Sequence, residues 1–449
     1  MRGLRSTIAL AVVLAGLGAY IYFVTWRQPD DAAAVAKVFA ALESDNVTSV
    51  TVKQQAGDAT TVQKTDGSWR MTAPLAGGAD PVTTSAITQA LSSLERERTI
   101  DETGEQADQY GLAPPGLEVD FTTNDGTSHR LVLGDATPTG ASLYARRDDE
   151  PAVFLVPQYQ KATFDKSTFD LRDKSIATFA RDSVVGLTVR ADAHTVELKK
   201  SGDSPWRLAV PVEARADVGT VEGVMSRLQT SQMKAVVTDE TPSPADLRGY
   251  GLDRPSVAVT IDAGAPPITI ELGGQADADT IYARSSTRTG VFTVESALAG
   301  ELGRDPDEYR RRDLFEFRAY NATKVELTRG DGTVTFERVK AEGDEAVDTW
   351  RRTTPGPAAD ADKTDVEALL GKIADLRADS FANSTAGTGL ATPMLTAHVT
   401  FNDGRDEEQV TFGRSGDTSY AAVPGDAGAA RIDTSALDEI LAALDELAG

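Results

Sequence analysis

The chain has 449 residues, with 45 Lys plus Arg against 69 Asp plus Glu and a formal net charge of −24. That balance argues against a nucleic-acid partner, which needs a basic face to displace counterions, and against broad contact of the bulk with anionic lipid. The composition, 40% hydrophobic and 25% charged, is globular, and the length predicts several domains rather than one core. The absence of cysteine removes disulfides, thiolate metal sites, a thiol nucleophile and a lipidated N-terminal cysteine.

Residues 8–24 form an unbroken run of apolar and small side chains, with Tyr20, Tyr22 and Trp26 at its far end. With its flanks the run approaches the roughly 20 residues of a membrane-spanning helix. Arg2 and Arg5 precede it, and Asp30 and Asp31 follow Arg27. The positive-inside rule then expects a cytoplasmic tip and anchor over residues 1–28, with the remaining bulk outside the cytoplasm. A cleaved signal peptide fits less well, because Leu17 stands where cleavage after Ala19 would want a small residue. Residues 29–45 are Ala-rich and polar, and are read as a short helical stem.

Beyond the stem one pattern occurs three times. Trp69-Arg70, Trp206-Arg207 and Trp350-Arg351 are each followed by a proline at the same spacing, Pro74, Pro211 and Pro355. The tryptophans lie 137 and 144 residues apart (206 − 69 and 350 − 206), the length of a small domain. After each proline comes Asp80, Asp217 or Asp362, placed to cap a helix. An apolar stripe at helical spacing follows: Thr84, Ile87, Leu91 and Leu94; Val221, Val224, Leu228 and Ser231; Val366, Leu369, Ile373 and Leu376.

Tyr110-Gly111-Leu112, Tyr250-Gly251-Leu252 and Gly389-Leu390 then precede strands over 119–122, 257–261 and 397–401. Hairpin turns at Gly126, Gly264 and Gly404 return the chain to strands ending in Gly134, Gly273 and Gly413. Another strand carries Tyr144-Ala145-Arg146, Tyr282-Ala283-Arg284 or Tyr420-Ala421-Ala422. The expected fold is α+β: three homologous units, each a mainly antiparallel sheet with one principal amphipathic helix. Their expected bounds are 46–181, 182–319 and 320–449. Arg172-Asp173 and Arg312-Asp313, each followed by a phenylalanine (Phe179 or Phe317), are expected to dock consecutive units.

No catalytic motif, metal site or cofactor motif can be assembled. His129, His194 and His398 are too scattered for a metal pair, and Asp277 with Asp279, or Asp360, Asp362 and Asp365, lack an EF-hand pattern. The tryptophans are read as buried plugs with hydrogen-bonded N–H groups. Tyr144 with Arg146, and Tyr282 with Arg284, share a strand face and are the candidate ligand-binding residues, for an anion or acidic peptide; a ladder serving only the fold is the competing reading.

The anchor followed by WRxxxP, YGLxxP, a strand ending in glycine, and YAR, repeated in order, resembles bacterial proteins containing domain of unknown function 4340. The third copy lacks the Tyr of YGL and the Arg of YAR. The resemblance implies an envelope component, associated in such proteins with gliding-motility-type ABC transport systems, and carries over no catalytic residue. The expectation is therefore a non-enzymatic, single-pass protein of the inner membrane, a scaffold or accessory subunit with an envelope protein partner. The alternative is an accessory enzyme or solute-binding protein with a site between units, lined by Arg146 and Arg284.

Overall fold

The computed structural model describes residues 36–202, 204–264, 266–340 and 348–448. The expected anchor lies outside the described residues; among these, no helix is long and apolar enough to cross a membrane.

Three nine-stranded sheets of identical topology make up the fold, and every strand pairing in them is antiparallel. In the first, Val47–Gln54 sits mid-sheet, flanked by Thr60–Thr65 on one side and Leu117–Thr123 on the other. The chain runs outward through Ser68–Ala73 to a short edge at Gly77–Gly78. Helix Pro81–Ser93 then carries it to the opposite edge, where Arg98–Asp101 pairs with Val153–Pro157. Val218–Thr230 and Lys363–Ala374 are the equivalent helices.

The helices start where expected. Asp80 and Asp217 each accept the backbone N–H three residues on, at 2.7 Å, and Asp362 accepts from Thr364 and Asp365. Ile87, Leu91 and Leu94, like their counterparts in the later repeats, are buried against the inner face of the sheet. Burial of such side chains contributes about 1.5–3 kcal/mol each, which outweighs the modest propensity of a helix holding Thr83, Thr84 and Thr88.

Two details depart from the sequence expectation. Each sheet has an additional strand after its helix, Arg98–Asp101, Ala235–Thr238 or Ala378–Ala382, too short to show strand periodicity. The stem is not a separate helix where it is described: Ala36–Lys37 pairs with Glu95–Arg96, and Val38 and Phe39 are buried. Arg147 lies over the Phe39 ring and donates to the Val38 carbonyl.

The chain forms two compact units, one ending at Lys174 and one comprising Ser175–Gly449. The second holds two repeats, and its first residues already belong to a core: Ile176 and Ala177 are buried, whereas Phe179 is only half-buried. Likewise Leu314, Phe315 and Phe317 sit in the core of the third repeat. The repeats therefore begin a few residues earlier than 182 and 320, because apolar residues directly after each connector are drawn into the next core.

The connectors correspond with a two-residue offset from the sequence alignment. Arg172 bridges Ala79 and Arg310 bridges Ala216, so Arg172 matches Arg310 and Asp313 matches Ser175. From Arg310 onward the connector does dock the second repeat to the third. Arg310 donates to Ala427 and lies 3.9 Å from the centre of the Phe381 ring. Leu314 N–H donates to Leu376, and Glu408 accepts the N–H groups of Glu316 and Phe317.

Candidate functional site

The alternation that buries one face of each sheet turns the other outward, where the repeats differ. On the first, Lys53 pairs with Glu118 at 3.2 Å and Arg130 with Asp120 at 2.6 Å. On the second, Thr188, Thr260 and Thr269 hold the matching central positions. On the third, His398 lies between Glu326 at 3.0 Å and Glu407 at 3.4 Å. The His398 hydrogen bond holds the Glu326 carboxyl below its ordinary range, with Lys324 adding to the effect.

Tyr144 packs on Tyr110, ring centres 4.6 Å apart, and Tyr282 on Tyr250 at 4.7 Å. The tyrosines of the YGL and YAR motifs are thus a pair within each of the first two repeats. A second contact joins YGL to the strand that ends in glycine: a Cβ at Gly134 would lie 2.1 Å from the Tyr110 carbonyl oxygen, and one at Gly273 2.4 Å from that of Tyr250. Spacing alone gave no sign of this close approach.

Arg146 and Arg284 hold equivalent places on separate sheets. Arg284 is ion-paired to Glu271 directly across the strand. The residue across from Arg146 is Val132, and among the described residues no carboxylate pairs with Arg146. In the third repeat, Ala422 faces Thr411 at this position. Of the two candidate arginines, Arg284 is therefore neutralised by its carboxylate partner and the Arg146 guanidinium is the one available to an external anion.

Trp206 and Trp350 are buried and Trp69 is half-buried against the first core. The expected indole hydrogen bond is not made at Trp350, whose Nε1 has no partner among the described residues. Arg338, opposite it in the sheet, lies 5.0 Å from its ring centre instead. Of the motif arginines, Arg70 is exposed, Arg351 lies 3.7 Å from Asp360, and Arg207 donates to the Gly425 carbonyl. Pro74, Pro211 and Pro355 all follow cis peptide bonds.

A groove of about 740 Å³ opens on the outer face of the second repeat. Gly186, Thr188 and Ala209 line it with small side chains, and Lys199, Arg207 and Glu213 with charged ones. Gly186 stands where the other repeats carry Ser49 and Lys324, which makes room there; in the sequence it is one glycine among 38.

The histidines do not converge. His129 stacks on Phe121 at 5.0 Å and His194 bonds the Arg304 carbonyl at 2.7 Å. Among the described residues no group of three His, Asp or Glu side chains could hold a metal. Asp277 closes its own turn by accepting from Asp279 and Thr280, and these bonds lower its pKa.

The fold and its polar outer faces define a tandem array of one α+β module. The chain belongs to the family described as Domain of unknown function (DUF4340), which matches residues 69–205 and 206–393 in two adjacent segments. Both segments begin at the tryptophan of the WR motif, two strands into the structural repeat. No curated protein matches the chain.

Proposed function

We propose that the protein is a membrane-anchored, extracytoplasmic scaffold or accessory subunit of the bacterial envelope, whose repeats engage a protein partner. The observation that carries this reading is one sheet topology used three times with a different set of outward side chains each time. Repetition on a single anchor raises local concentration and reach, which favours multivalent binding. The apolar run at 8–24, preceded by Arg2 and Arg5, supports the anchor and its orientation. Association with a gliding-motility-type ABC transport system is proposed from the family resemblance.

A C-terminal alkaline phosphatase fusion is expected to be active and a C-terminal GFP fusion dark; the reverse pattern rejects the topology. Crosslinking in cells, followed by purification of the full chain, is expected to recover membrane transport components. Consistent failure to recover them rejects the transporter association.

The groove on the second repeat favours a second reading, a solute-binding role. Saturable binding of a small molecule that Arg207→Ala abolishes, with no protein partner captured, would select it.

A further inference from the structure

Each sheet ends, beyond its WR strand, in a short edge: Gly77–Gly78, Ala214–Arg215 or Ala359–Ala361. The first two edges are covered by the connector that leaves the same repeat. In the first, Asp173 N–H donates to the Gly78 carbonyl at 3.0 Å and Asp80 N–H to the Leu171 carbonyl at 2.9 Å. The second repeats the arrangement, from Arg311 to Arg215 at 3.0 Å and from Asp217 to Tyr309 at 2.8 Å. Ala79 and Ala216 are buried beneath these segments.

The third edge differs. Ala359–Ala361 pairs with Thr349–Thr354 and with no other described strand, and Ala359 and Asp360 are exposed. The groups matching those bonded in the other repeats are the Asp360 carbonyl and the Asp362 N–H, and no described residue pairs with either. Strand alternation aims both away from the sheet. Asp360, 3.7 Å from Arg351, stands on this edge with Asp362 and Asp365 close in sequence, while the covering segments centre on Arg172 and Arg310.

We propose that Ala359–Ala361 accepts an extended basic segment of a partner protein, which adds one antiparallel strand in the register that Arg172 and Arg310 occupy elsewhere. Backbone bonds to Asp360 and Asp362 hold the segment, and the carboxylates select for basic side chains. This deepens the scaffold reading and rests on it for biological meaning. The binding test below can fail while the topology and crosslinking results stand.

The probe is a fluorescent, acetylated and amidated peptide of residues 309–312, Tyr309-Arg310-Arg311-Arg312, which is basic and keeps the covering register, titrated into the purified full chain. Saturable binding is expected below about 1 mM, with slowed hydrogen exchange at the Asp362 amide. The same peptide carrying Arg310→Glu, Arg311→Glu and Arg312→Glu is expected not to bind. Asp360→Lys, at an exposed position, is expected to weaken binding about tenfold with an unchanged circular dichroism spectrum. Absence of saturable binding, unchanged exchange at Asp362, or undiminished binding by Asp360→Lys would each overturn the proposal.

Discussion

Arg215 of the second repeat grips Asp426 of the third twice, from its backbone N–H at 2.7 Å and from Nε at 2.9 Å. Both side chains are less than one-fifth exposed, at 18% and 15%. Loss of either partner leaves a largely desolvated charge behind, so Asp426→Ala is expected to cost about 3 kcal/mol, and Arg215→Ala a similar amount. The double variant should cost less than the two singles combined. Urea denaturation reads all three, and an unmoved midpoint in Asp426→Ala would refute this role for the pair.

Removal of the motif tryptophans should grade with burial. Trp350→Ala and Trp206→Ala are expected to cost about 3–5 kcal/mol each, and Trp69→Ala, from its half-buried site, about half of that. Thermal denaturation of the three variants gives the order directly. Equal effects at all three positions would contradict it.

Two glycines offer opposite outcomes for one substitution. Gly273→Ala would bring a methyl group to 2.4 Å from the Tyr250 carbonyl oxygen, a clash with backbone that should cost several kcal/mol. Gly223→Ala, in the exposed interior of helix Val218–Thr230 with nothing within 4 Å, should instead stabilise by about 1 kcal/mol. Denaturation midpoints that move the same way would show the packing at Gly273 to be misassigned.

Glu408 makes stability pH-dependent in an uncommon direction. Burial pushes its carboxyl above the ordinary 4.5; the Glu316 and Phe317 N–H groups oppose the shift, and the Glu316 charge reinforces it. The folded state therefore holds this proton to higher pH than the unfolded state, and the contribution to stability falls as pH rises through the window above 4.5. Asp125 acts oppositely. The Thr123 hydroxyl and then the Thr127 N–H lower it to about 2, so its contribution is present above 3.8 and is lost as pH falls through about 2. Glu408→Gln is expected to gain stability relative to the parent as pH rises above 4.5, which a pH series of urea melts can check. A constant difference across the series would count against the assignment.

The features that the sequence made legible were those set by periodicity and by residue type. The Asp80, Asp217 and Asp362 caps, the buried stripes beneath them and the antiparallel order all follow from local rules. The edge strands, such as Arg98–Asp101, were hidden because tertiary pairing, rather than an apolar alternation, holds them in place. Docking of Val38 and Phe39 was hidden too, since an Ala-rich polar stretch carries no sign of the aromatic cleft that receives it. At the candidate site, the shared face of Tyr144 and Arg146 was readable from strand alternation. That Val132 stands across from Arg146 while Glu271 stands across from Arg284 depends on register, which a single sequence does not display.

The insertion of Val38 and Phe39 into the first repeat also bears on mechanics. Tension applied to the chain ahead of Ala36 would fall on the Phe39 plug and the Arg147 clasp before reaching the strands of the sheet.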